Sequence, residues 1–213
     1  MSGDLKLNRV QLGDNPTPAN NIVVEGAGDG TLKISRGSIG NTTSDILNIS
    51  ATGTETIQKF MQIGPTVLSG ANIDFTGIPS WAKEITLVYM AVSTSGTSPL
   101  LVQVGTLGGM ENTGYNSLAA AQVSTTANIA SAAGIIIYND TAADVRSGSM
   151  SIYPQSGNVI SANYTMAGTI GRNITFWGAS SKVLNGVLDR IRITTVNGTD
   201  AYDNGQITLL IKG

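Results

Sequence analysis

The chain has 213 residues, 26 of them glycine, with 12% charged side chains and a formal net charge of −2. Such a balance lacks the basic excess of a nucleic-acid footprint, so DNA and RNA are not expected partners. With no cysteine and no histidine, disulfide frameworks and thiolate metal sites are excluded, and the commonest proton-transfer group is missing.

Few charges and many glycines suit short strands joined by tight turns better than helices with salt-bridged faces. The length admits one all-β domain with an extension, or two small domains. Met1–Leu7 lacks the charged start and apolar stretch of a secretion signal, and no run approaches the roughly 20 apolar residues that span a bilayer. A soluble product made in the cytoplasm, without membrane insertion, is the expectation.

From Met1 to Lys59 there is no aromatic residue. So few bulky side chains cannot offset a backbone ordering cost of roughly 1–2 kcal/mol per residue unless another surface completes the core. Residues 1–60 therefore read as an arm. Within it, Ile22–Val24 and Thr31–Ile34 flank Asp29-Gly30, a hairpin signal, and Pro16 and Pro18 interrupt the stretch before them. A lone hairpin is marginal in water. Copies of the arm packed around an axis would turn Val10, Leu12, Ile22, Val23, Val24, Leu32, Ile34, Ile46, Leu47 and Ile49 inward as one shared core. These ten are the candidate docking and trimerisation residues.

Residues 61–74, with Gly64-Pro65 and Gly70, read as a linker. Residues 75–213 read as the body. Ile85–Val92 is apolar on both faces and is therefore expected as a central strand. Leu100–Val104, Ile135–Tyr138, Gly148–Tyr153, Val159–Ala167, Ile174–Trp177, Val187–Val196 and Gln206–Lys212 are further strand candidates. The Asn-Gly pairs between the last of them suit an antiparallel sandwich. On the final strand Ile207, Leu209 and Ile211 share a face, and on the one before it Arg190 and Arg192 oppose Ile191 and Ile193. Ser117–Ala133, rich in alanine but carrying Val, Thr and Asn, is assigned as loop with a short helical turn. The fold class is all-β: an extended N-terminal β-arm followed by an antiparallel jelly-roll-like β-sandwich.

Candidate sites are few. Gly26–Gly30 lacks both the spacing of a dinucleotide fingerprint and the ending of a P-loop, so it reads as a turn. Asp189 with Asp200 or Asp203 would serve a glycosidase only at a suitable separation, and Asp200-Ala-Tyr-Asp-Asn-Gly has the composition of a turn. The same loop offers oxygens to a calcium ion without the ordered spacing of a calcium loop. Trp81 and Trp177 can stack on sugars, but large aromatics more often fill a sandwich core. Tyr115 and Asn116, in the Gly-flanked loop after Glu111, and Tyr202 are the candidate surface-recognition residues, because loops on a rigid scaffold carry binding. No catalytic residue, metal or cofactor is expected.

Three segments carry a resemblance. Val10–Asp14, followed by Asn20–Val24 and Asp29–Gly37, resembles the N-terminal attachment module of bacteriophage virion proteins of the tail-fibre and head-fibre type. Phe75–Leu87 and Leu188–Asp200 resemble the β-sandwich that ends many of them. The resemblance implies a homotrimer in the virion, assembled in the host cytoplasm, held to tail or capsid proteins by its arm. Its sandwich would face a host cell-surface glycan or protein. With almost no room for a shaft, the chain fits a compact spike or an adaptor-mounted tip. The alternatives are a capsid decoration or head-fibre protein without a receptor role, a polysaccharide-degrading spike, and a carbohydrate-binding module of a cellular protein.

Overall fold

The computed structural model describes residues 9–12, 22–26, 32–38, 41–49, 60–122, 126–142, 144–168 and 173–213. The chain divides into two compact units, Met1–Gln58 and Lys59–Gly213.

The first unit contains a four-stranded antiparallel sheet in chain order: β1 (Arg9–Leu12), β2 (Ile22–Gly26), β3 (Leu32–Ser38) and β4 (Asn41–Ile49). The expected hairpin is the β2–β3 pair, with Gly26 opposite Leu32. Its Asp29-Gly30 turn, like Pro16 and Pro18, lies outside the described residues. The register sets Val10 opposite Val24, Val24 opposite Ile34, and Ile34 opposite Leu47. Leu12 meets Ile22, and Leu32 meets Ile49. Because strand positions alternate with period two, all these positions belong to one side of the sheet. Val23 has the other parity, and Ile46 falls where the β3–β4 register shifts.

The second unit is an antiparallel sandwich. Its large sheet has eight strands and its small sheet five. The segment expected as a linker is instead part of it: β5 (Phe60–Val67) is the edge strand of the large sheet, paired with β17 (Tyr202–Lys212), and β6 (Ile73–Thr76) is an edge of the small one. Gly64-Pro65 suggested a turn, but an edge strand tolerates proline, which cannot donate to a ladder, especially at a bulge. The β5–β17 register shifts at that point. Gly64 has φ +95°, and a Cβ there would lie 2.8 Å from the Thr66 nitrogen.

From β6 the chain crosses to β7 (Glu84–Thr94) in the interior of the large sheet, then to β8 (Leu100–Thr106) and β9 (Gly109–Glu111) in the small one. The predicted central position of β7 between its neighbours is borne out. Ile85, Leu87 and Tyr89 enter the core, whereas Val88 and Met90, the apolar residues of the other side, are 36% and 51% exposed.

The segment 117–133, expected as loop with a short helical turn, instead supplies two paired antiparallel strands, β10 (Asn116–Gln122) and β11 (Thr126–Ser131), at the edge of the large sheet. Beyond it, β12 (Ile135–Ile137) joins the small sheet, and β13 (Arg146–Pro154), β14 (Val159–Gly168) and β15 (Thr175–Val183) make a meander in the large one. The chain then crosses to β16 (Arg190–Thr195) and back to β17. The large sheet runs β11-β10-β15-β14-β13-β7-β17-β5, and the small one β12-β8-β16-β6 with β9 on β8. All pairings among the unit's described residues are antiparallel.

One apolar core lies between the two sheets, drawing Ile85, Leu87, Met150, Ile152, Phe176 and Leu209 from the large sheet and Leu100, Val102, Ile137 and Ile191 from the small one. As expected, Ile207, Leu209 and Ile211 share the buried face of β17. Arg190 and Arg192 point away from the core side of β16, and each meets a carboxylate: Arg190 pairs with Asp189 at 2.8 Å, and Arg192 reaches Asp74 through two bonds of 2.7 Å.

The hydrogen bonds from Arg192 hold the Asp74 carboxyl below its ordinary range, against a smaller upward effect of burial. A carboxyl with a lowered folded pKa favours folding above its unfolded pKa, and that contribution disappears as pH falls through the folded value. Both side chains are partly exposed, so screening limits the pair to about 1 kcal/mol or less. On acidification from pH 7 to pH 3, the Asp74→Asn variant is expected to lose less thermal stability than the parent, as read by melting temperatures at the two pH values.

Candidate functional site

Three loops meet at one end of the sandwich. After β6, Gly77 takes φ +74°, and Ala82 N–H donates to Pro79 C=O at 2.9 Å, folding Pro79–Lys83 into a turn. Between β13 and β14, a short 3-10 turn at Ser156–Asn158 places Gly157 and Asn158 at positive φ, 71° and 59°, which glycine and asparagine tolerate best. After β15, Leu184 N–H donates to Asn158 C=O at 3.0 Å, fastening the third loop to the second.

Together they enclose a hollow of about 240 Å³. Buried Ala82, Ile160, Leu184 and Leu188 supply apolar surface to it, while Ser80, Lys83, Gln155 and Ser156 bring exposed polar groups to its edge. Lys83 is the one ionisable residue among those lining it. The hollow can therefore hold a small ring by its apolar face while bonding polar substituents at the rim. No residue expected to bind from sequence lines it. The signal lay in Gln155-Ser-Gly-Asn158, which reads as an ordinary turn between two strands.

Tyr115 and Tyr202, expected at the surface, are core residues at 5% and 2% exposure. A phenol packs its ring among apolar groups when its hydroxyl finds a partner. Tyr115 Oη accepts from Val104 N–H at 2.7 Å and donates to Glu111 C=O at 2.8 Å, and Tyr202 Oη donates to Thr194 C=O at 2.9 Å. Burial pushes the Tyr115 hydroxyl well above its ordinary pKa. Lys182 Nζ lies 5.2 Å from the Tyr115 ring centre and 2.8 Å from the Glu111 carboxylate, which locks this loop. Asn116 alone of the three is exposed.

The carboxylates considered for catalysis hold loops. Asp200 accepts from Ser98 N–H at 2.9 Å and from Asn197 Nδ2 at 2.7 Å, and these bonds, Asn197's first, lower its pKa. Asp203 accepts from Ser93 Oγ, and Asp189 pairs with Arg190. Among the described residues, no cluster of three or more Asp and Glu that could hold a metal occurs. Trp81 packs against the core, whereas Trp177 is 38% exposed on the outer side of β15.

Around Trp177 the outer face of the large sheet is uncharged across four strands. Asn116, Leu118 and Ala120 of β10 and Trp177, Ala179 and Ser181 of β15 continue into Ser161, Asn163 and Thr165 of β14 and Ser149, Ser151 and Tyr153 of β13. Leu118 and Tyr153 are 57% and 36% exposed there. The ten arm residues lie on the strands of the separate N-terminal sheet, where Val24 and Ile34 are half-buried.

No protein-family model, curated protein or solved structure matches this chain. Among the described residues no helix is long and apolar enough to cross a membrane.

Proposed function

We propose that this chain is a structural protein of a bacteriophage particle: a short homotrimeric fibre or spike whose N-terminal unit docks on tail or capsid proteins and whose sandwich binds a host-surface glycan or protein. It works by binding rather than by breaking bonds. Three linked copies raise weak single-site contacts by orders of magnitude where geometry lets them engage together.

The observation that carries this reading is the N-terminal sheet. Among its described residues there is one layer, and the pairings of Val10, Val24, Ile34 and Leu47 line up an apolar row across all four strands. A sheet with such a side needs a second layer to cover it. Sister copies or a particle surface supply one, in keeping with the aromatic-free composition of that stretch.

Light scattering on the full chain is expected to give the mass of three copies, and residues 59–213 alone the mass of one. A monomeric full chain would overturn the trimer. A trimer that survives the truncation would transfer the subunit contacts to the sandwich, where the uncharged outer face is the surface available for them.

A further inference from the structure

We propose that the hollow between the Pro79–Lys83, Pro154–Asn158 and Leu184–Leu188 loops is a binding site for a carboxylate-bearing sugar ring, an acidic monosaccharide unit of a larger glycan. It deepens the host-binding reading given above and rests on it for the source of the sugar, not for the chemistry of the pocket.

Size comes first. At about 240 Å³ the hollow is smaller than the roughly 300–1,000 Å³ of sites that enclose drug-sized ligands. One pyranose is the appropriate scale, and a longer chain would continue into solvent from the open side. Lining chemistry comes second. Ile160, Leu184 and Leu188, 2%, 3% and 5% exposed, offer an apolar wall to the C–H face of a ring. Ser156 and Asn158 also line the hollow and bring polar residues to where ring hydroxyls need donors and acceptors.

Charge comes third. Lys83 is exposed at the rim, no Asp or Glu is among the lining residues, and the carboxylates next in sequence, Glu84 and Asp189, are paired with Lys212 and Arg190, so the charge offered to a ligand at the rim is positive. A carboxylate on the ring would accept from the Lys83 ammonium. A bond to a charged partner is among the stronger kinds, and its loss at a solvent-facing rim is expected to weaken binding about tenfold.

The loops are also held in shape before any ligand arrives. Asn158 C=O is bonded to Leu184 N–H at 3.0 Å, and Ile78 N–H to Asp189 C=O at 2.8 Å. Ordering costs on binding are correspondingly small.

The test is ligand-observed NMR on the full chain, titrating glucuronate, galacturonate and N-acetylneuraminate, with glucose as a neutral ring and acetate as a charge without a ring. At least one acidic sugar is expected to bind with a millimolar or tighter Kd, at least about tenfold tighter than glucose or acetate. Lys83→Gln, at an exposed position, is expected to remove that preference and leave the melting temperature unchanged. Leu188→Trp, which fills the hollow, is expected to abolish binding of every sugar. No binding by any of the three acids, equal binding of glucose, or an unchanged Kd in Lys83→Gln would each overturn the proposal. Such a result in a chain that still weighs three copies would sink the pocket while leaving the virion reading intact. A monomer that binds the acid would do the reverse.

Discussion

Replacing Arg146 by alanine is expected to cost the sandwich about 3–5 kcal/mol, the range seen when one partner of a buried ion pair is removed. Arg146 opens β13 and is fully buried. Its guanidinium donates to Asp144 C=O at 3.1 Å and to the Asn139 side-chain oxygen, lies 3.7 Å from the Asp144 carboxylate, and covers the Phe176 ring at 4.7 Å. Asn139 in turn donates to Gly96 C=O and Ser98 C=O at 3.1 and 3.2 Å. One cation thus ties the segment before β13 and the β7–β8 loop to the large sheet. Alanine would take the guanidinium away from the Asp144 carboxylate, which is 2% exposed. The double variant Arg146→Met with Asp144→Leu removes both charges and is expected to lose less than Arg146→Ala alone. Urea unfolding of the three proteins, compared through midpoint and slope, decides the matter. A single-variant loss below about 1 kcal/mol would mean the pair is as weak as an exposed one.

Arg146 also marks a limit of sequence reading. Nothing around Asp144-Val-Arg-Ser-Gly148 distinguishes a buried arginine from a solvated one, because an Asp two residues away also suits a surface pair, and the other groups that receive it lie at Asn139 and at Phe176 on β15. The strands themselves were more legible. Ile207, Leu209 and Ile211 alternate with more polar positions because one side of β17 is buried and the other is open to water, and that physical asymmetry is written in the residues. The division between Gln58 and Lys59 has a mark in the sequence too, since every aromatic residue lies beyond it, although the first of them, Phe60, is exposed and the first in the core is Phe75.

The glycines and asparagines around Tyr115 signal a loop, and a loop implies exposure. The structure instead tucks the ring beneath Lys182 and bonds its hydroxyl to two backbone groups, turning the loop into a lid of the core. Edge strand β5 was hidden by Gly64-Pro65, which a bulge at the sheet margin accommodates. The hollow was invisible for a different reason: its three loops, at Pro79–Lys83, Pro154–Asn158 and Leu184–Leu188, are far apart in the chain and converge only through the sandwich.

Changing Gly178 to valine is expected to destabilise the sandwich by about 3 kcal/mol, the upper part of the usual range for forcing extra atoms into a packed core. Gly178 is paired with Ala119 on one side and Tyr164 on the other. The Tyr164 ring leans over it, so that a Cβ would lie 2.5 Å from Tyr164 Cε1 and 2.7 Å from Leu118 C=O. Tyr164 cannot swing aside cheaply, since its hydroxyl donates to Ile136 C=O at 2.9 Å in the small sheet. The same arrangement explains why residues 117–133 looked unlike a strand. Ser117, Ala119 and Ala121 face the core beside Ser180, Gly178 and Phe176, and the volume that β-branched side chains would fill is occupied by Tyr164 and Phe176. Alanine is here by displacement, not by helix preference. Enlarging the pocket from the other side should therefore relieve the clash: Tyr164→Ala with Gly178→Val is expected to lose less than the sum of the two single losses, by about 1 kcal/mol or more. Strict additivity in a urea-unfolding cycle would show that the ring and the glycine do not share that space.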